Sequence, residues 1–202
     1  MKIAIVCFDN FTDIDVFLPW DLLNRVRLVG GISDWNVQLL GTEKTHISMS
    51  GLRIPMTGSI SDIPSADAVI FASGKGVQDL YQNQEYLNSI HVDPQRQLIG
   101  SMCSGSLLLG AKKLLTGKKA TTYPSVVEQL KEFDVDVIEQ SFVNQGNIST
   151  AAGCFAAQAL SAWIIRTLIS EEMTDTVLET VQPVGKGLYF QFQIKSEIDN
   201  LT

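Results

Sequence analysis

Ile99-Gly100-Ser101-Met102-Cys103-Ser104-Gly105-Ser106-Leu107 decides the reading of this chain. An apolar strand-like run, Gln97 to Met102, ends on a cysteine flanked by small residues, and helix-forming residues follow at once. A chain that turns this sharply strains the residue at its apex and needs Gly or Ser beside it, where larger side chains would collide. The segment therefore predicts a strand, a tight turn presenting Cys103, and a helix over 105–115. A helix N-terminus beside a thiol favours the thiolate, which makes Cys103 the candidate nucleophile. The plain alternative is a small buried hydrophobe, the commoner fate of a single cysteine.

Working outward, the flanking segments alternate in type. Lys2 to Phe8, Val37 to Leu40 and Ala68 to Ala72 are short apolar runs rich in β-formers, while residues 15–29 and 77–90 carry apolar residues at helical spacing. Beyond the cysteine, the pattern predicts a strand over 119–122, a helix opening at Pro124, strands over 136–140 and 147–151 around a turn at Gly146, and an apolar helix over 155–169. The tail from Gly187, which contains LYFQFQI, is expected to form a final strand with a loose end. Strands alternating with helices predict an α/β fold: a parallel sheet with helices on both faces. One domain over 1–202 is expected from a length of 202 residues with 45% hydrophobic residues.

The net charge of −7, from 22 acidic and 15 basic residues, comes without any basic run that would follow a phosphate backbone, so nucleic acid is not an expected partner. No apolar stretch reaches membrane-spanning length, and the run at the N-terminus is too short for a signal segment. A cytoplasmic protein acting on a small molecule is the expectation. Three widely spaced cysteines suit neither a disulfide framework nor a zinc cluster, and the Ser73-Gly74-Lys75-Gly76 loop lacks phosphate-loop spacing, so no metal, nucleotide or other cofactor is implied. Cys7 is expected to be buried in the first strand and Cys154 to be structural.

The cysteine turn resembles the elbow of the ThiJ/PfpI family, and three further segments agree in order. Asp13-Ile14-Asp15-Val16-Phe17-Leu18-Pro19 is similar to the family's acidic residue four positions before a proline, with Asp15 on the acidic position. Phe71-Ala72-Ser73-Gly74-Lys75-Gly76 stands where the family has a Pro-Gly-Gly loop, with Ser73 in place of the first glycine. Ala120-Thr121-Thr122-Tyr123-Pro124 is similar to the strand end before a proline-led helix. The resemblance implies a flavodoxin-like fold over nearly the whole chain and a homodimer, for which Phe17, Trp20 and Leu23 on the first helix are candidate contacts.

Protease-like and glyoxalase-like members of that family are expected to place a histidine beside the cysteine. Here those positions are Ser104 and Tyr123, and the two histidines, His46 and His91, are expected to have no catalytic role. A cysteine with an acidic partner and no histidine resembles the isonitrile hydratase branch. That resemblance implies Cys103 as nucleophile and Asp15 as general acid and base. It further implies an anion-stabilising pocket from the N–H groups of Gly74 and Ser104, with Ser73, Thr121 and Tyr123 as pocket residues. The alternative reading of Asp15 is a helix cap. The alternative functions are a ligand-sensing module, which here would act without a DNA-binding segment, and a redox sensor using Cys103.

Overall fold

The computed structural model describes residues 1–185 and 187–199, with only the backbone given for 187–190. In chain order the elements are β1 (Lys2–Val6), α1 (Asp13–Leu28), β2 (Asn36–Gly41), β3 (Thr45–Ile47), β4 (Arg53–Pro55), β5 (Gly58–Ser59), β6 (Ala68–Phe71), α2 (Val77–Leu80), α3 (Gln84–Ser89) and β7 (Leu98–Met102). There follow α4 (Ser106–Ala111), β8 (Lys119–Ala120), α5 (Val127–Lys131), β9 (Asp136–Val137), β10 (Phe142–Gln145), β11 (Ile148–Ala151), α6 (Ala157–Leu168), α7 (Glu171–Glu179) and α8 (Gly187–Asp199).

Among the described residues, the main sheet runs β10-β11-β7-β6-β1-β2-β5. Its pairings are parallel apart from β10, which returns antiparallel on β11 through a turn at Gly146. The long parallel strands thus follow the flavodoxin-like order, in which the direction of sheet growth reverses between β1 and β6. Strands β6 and β7 are buried along their whole length and β1 at all but its first residue. That is why β1 after Lys2 and all of β6 read in sequence as unbroken apolar runs rather than alternating ones, while β7 admits only the small Gly100 and Ser101: both faces are covered by helices. Helices α1, α6, α7 and α8 pack together, and α2, α4 and α5 form the second group.

The structure corrects several expected elements. The helix expected over 77–90 breaks in two, because Asn83 leaves helical geometry and its side chain accepts from the Tyr86 N–H to cap a fresh start. The helix after Cys103 stops at Ala111 rather than Leu115, since Lys113 takes a φ of 59°. The strand expected over 136–140 shrinks to Asp136–Val137, and the partner of β11 is β10 instead. The tail is helical where a strand was expected: Gln191, Ile194 and Ile198 are buried at helical spacing on α8, which packs against α6. Residues 200–202 of that expectation lie outside the described residues. Leu23 is fully buried in the core and cannot serve a surface contact, whereas Phe17 and Trp20 are half-buried.

Candidate active site

The reversal between β1 and β6 opens a crevice at the carboxyl ends of the strands, and the chain places one site element after each of β1, β6, β7 and β11. Cys103 follows β7 with a φ of 45°, in the left-handed region that a side chain with a Cβ rarely adopts. Two contacts hold it there. Ser106 Oγ donates to Thr122 Oγ1 (2.7 Å), and Thr122 Oγ1 donates to the Cys103 carbonyl (3.1 Å). Gly105 permits the turn, because a Cβ there would stand 2.5 Å from the Ala72 carbonyl oxygen at the end of β6. The strain at the elbow is thus fixed by surrounding structure.

Asp15 sits in the first turn of α1 yet caps nothing. Its carboxylate is wholly buried, Oδ2 accepts from Ser73 Oγ, and Oδ1 has no hydrogen-bond partner. Pro19, four residues on, lacks the N–H that would otherwise bond the Asp15 carbonyl. Ser73 is buried, and its backbone carbonyl accepts from the Thr12 N–H (2.7 Å), so the loop after β6 is stitched to the entry of α1. Gly74 completes that junction with a φ of 143°, and a Cβ there would stand 2.6 Å from Phe11 Cα. Its N–H donates to Ser104 Oγ (3.3 Å), linking the loop to the cysteine turn.

Cys103, Asp15, Ser73, Gly74, Ser104 and Tyr123 line one cavity of about 470 Å³, with Lys75 exposed at its edge. Thr121 lies elsewhere. It lines an adjoining cavity of about 790 Å³, its N–H donates to Thr150 Oγ1 (2.8 Å), and its Oγ1 donates to the Gln140 carbonyl (2.6 Å). Tyr123, half exposed, borders both spaces. Val127, Ile138 and Ala152 give the larger cavity an apolar wall.

Cys154, expected from its strand-to-helix junction to be structural, lies beside Asp15 and Cys103. Strand β11 ends at Ala151, Gly153 takes a φ of 84°, and Cys154 opens a short turn of helix ahead of α6, repeating beside β7 the strand-turn-helix plan of Cys103. The two sulfurs and a carboxylate oxygen of Asp15 all lie within 4.8 Å of one another. The signal was present as Ala151-Ala152-Gly153-Cys154, a second small-residue junction. What sequence could not supply was that β11 and β7 are neighbours. Met49, from the connection between β3 and β4, also reaches the cavity wall.

Electrostatics reverse the expected tuning of the nucleophile. Burial first, and the negative charge of Asp15 second, push the Cys103 thiol well above its ordinary range, with the Gly153 N–H opposing them. Burial and Asp15 likewise push Cys154 up to about 11. Cys7, buried in the chain just after β1, is pushed up to about 12 by burial alone.

Neither histidine lines the cavity. His46 is buried on β3, where Nδ1 faces Asp9 Oδ1 (3.2 Å) and Nε2 accepts from the Glu43 N–H (3.4 Å). His91 is exposed in the connection leading to the amino end of β7. No helix among the described residues is long and apolar enough to cross a membrane.

Comparison with known proteins agrees with this geometry. A family model described as the DJ-1/PfpI family matches residues 1–167. The chain is similar to an isonitrile hydratase of Pseudomonas putida, 26% identical over 88% of this chain and 76% of that protein. It is also similar to a glutathione-independent glyoxalase DJ-1 of Schizosaccharomyces pombe, 23% identical over 90% of this chain and 98% of that one. Among solved structures, a ThiJ/PfpI family protein from Pseudomonas syringae superposes with a TM-score of 0.77 at 21% identity, covering 98% of this chain and 89% of the other.

Proposed function

The chain belongs to the DJ-1/PfpI family, and from that premise we propose that it is a cysteine-dependent hydratase that converts isonitriles to N-substituted formamides. The observation that carries the reading is the pairing of a buried thiol with a buried carboxylate whose Oδ1 has no partner, in a cavity lined by no histidine. A relative named isonitrile hydratase supports it. The glyoxalase relative is a weaker guide, because a histidine beside the cysteine is expected of glyoxalase-like members.

The residue types suit the chemistry. Asp15 Oδ1 takes the proton from Cys103 Sγ as sulfur bonds to the terminal carbon of R–N≡C, and it returns that proton to the same carbon to give the thioimidate R–N=CH–S–Cys. A water then adds to this carbon while Asp15 accepts one of its protons and passes it to nitrogen. Collapse of the tetrahedral adduct breaks the C–S bond, returns the hydroxyl proton to sulfur and releases R–NH–CHO. The net change is addition of one water, and a single carboxyl serves as acid and base in turn. A thiol kept protonated at rest fits this sequence, since the proton it loses is the one the carbon gains.

Of the two N–H groups expected to stabilise an anion, that of Gly74 is engaged by Ser104 Oγ, so the proposal keeps the role for the Ser104 N–H. The 790 Å³ cavity beside Tyr123 would take the substituent R. Turnover of a panel of isocyanides, followed as formamide by NMR, tests the reading. Active wild type with inactive Cys103→Ala and Asp15→Asn supports it. A folded but inactive wild type overturns it in favour of a binding role.

A further inference from the structure

The triad of Asp15, Cys103 and Cys154 has a second chemistry that the hydratase reading does not use. Its three donor atoms lie within 4.8 Å of one another, although the residues are far apart in sequence. Asp15 is fully buried, Oδ2 is engaged by Ser73, and Oδ1 is a buried carboxylate oxygen with no partner. Such an oxygen calls for a proton donor or a cation, and the thiols of Cys103 and Cys154 both bear on this carboxyl group. Cys154 is the telling residue: the proposed hydration needs one thiol, and a second one faces the same carboxylate.

We propose that Asp15, Cys103 and Cys154 form a three-ligand site for a thiophilic divalent cation of the zinc class, with the fourth position open to the 470 Å³ cavity. The donor set selects the ion. Two thiolates exclude the hard cations that take oxygen alone, and the carboxylate suits a borderline-soft ion better than Cu(I). Tetrahedral zinc places sulfur and oxygen donors roughly 3.4–3.8 Å apart, so donors within 4.8 Å of one another close by at most about 1.4 Å on binding. Two Zn–S bonds and one Zn–O bond form, two S–H protons leave to solvent, and water or a small ligand fills the fourth position. Occupancy engages the sulfur of Cys103, so the metal-bound protein has no free nucleophile. The site is independent of the hydratase reading.

The test uses the full chain, stripped with a chelator and titrated without oxygen with Cd²⁺ as a spectroscopic stand-in, then with Zn²⁺ in competition. Expected are one ion per chain, an ultraviolet thiolate-to-cadmium absorption, two protons released per ion, and displacement by Zn²⁺. Cys154→Ala and Cys103→Ala should each remove roughly half of the absorption and weaken binding at least tenfold, while Asp15→Asn weakens binding with the absorption retained. Cys7→Ala serves as the thiol control and should change nothing. Full absorption in a Cys154→Ala protein whose circular dichroism is native, loss only in Cys7→Ala, or no absorption in the wild type each overturns the proposal. Cys154→Ser repeats the test with a hydroxyl of similar size should the alanine variant not fold.

Discussion

The hydroxyl of Ser73 donates to Asp15 Oδ2 across 58 residues of sequence, tying the loop after β6 to the first turn of α1. Because that oxygen is engaged, the carboxylate is held with Oδ1 as its unpartnered atom. Ser73→Ala should therefore lower kcat by roughly ten- to a hundredfold with KM little changed, because the proton carrier loses its orientation rather than the substrate its contacts. Ser73→Thr, which restores a hydroxyl, should recover most of the loss, and a purely structural role for Ser73 would not give that split. Urea denaturation should show Ser73→Ala less stable by about 1–3 kcal/mol, the cost of leaving a buried oxygen unsatisfied.

Replacing Asp15 by Asn should move two measurements in opposite directions. Turnover should fall by at least about a hundredfold, as expected when a positioned acid-base group is lost. Alkylation of Cys103 by iodoacetamide near pH 8 should instead speed up, by roughly tenfold for each pH unit that the thiol descends once the neighbouring negative charge is gone. Mass spectrometry of the alkylated peptide reads the second effect. Unchanged alkylation would mean that Asp15 does not govern the thiol.

Run in deuterium oxide, the reaction should place solvent deuterium on the formyl carbon of the product, provided the carried proton exchanges before delivery. The formyl proton resonance then disappears while the formamide N-substituent remains visible. Because the isonitrile carbon carries no hydrogen of its own, a formyl proton persisting over many turnovers in deuterium oxide would mean that the formamide does not arise by hydration of the isonitrile.

Alkaline pH should destabilise the fold. The thiols of Cys7, Cys103 and Cys154 are all raised in the folded state from an ordinary value of 9.0, Cys154 to about 11 and Cys7 to about 12. Below pH 9 both folded and unfolded chains keep these protons and the contribution is whole. Above it the unfolded chain releases protons that the folded chain retains, so stability falls as pH rises toward 11 and 12. Thermal melts across pH 8 to 11 check this, and Cys7→Ala should flatten the decline.

Gly74→Ala should be among the most damaging single changes at the site. A φ of 143° is closed to alanine without strain, and its Cβ would press into Phe11 Cα and the Asn10 carbonyl oxygen. A loss of about 3 kcal/mol or more in denaturation, with turnover gone, is expected.

How far the sequence carried the fold depended on burial. β1 and β6 could be read because strands covered on both faces are apolar nearly throughout, and β7 because its two non-apolar residues, Gly100 and Ser101, are small. The break at Asn83 was hidden because the apolar spacing continues through it, and only a side-chain cap separates α2 from α3. The LYFQFQI tail misled because aromatic and β-favouring residues outweigh a helical pattern until α6 supplies the surface on which Ile194 and Ile198 pack. At the site, Cys103 announced itself through its own neighbours. Asp15 and Ser73 could be named only from resemblance, and Cys154 needed the strand order, which no local pattern contains.

That strand order also sets when chemistry can begin. Asp15, Ser73 and Cys103, the acid, its anchor and the nucleophile of the proposed reaction, follow three different strands, β1, β6 and β7, and β7 starts only at Leu98. A chain still being synthesised, or one that has docked only its first strands, holds a thiol and a carboxylate with nothing to bring them together. On the proposed reading, turnover is thus confined to the assembled fold, although the thiols themselves ionise more readily before burial raises them.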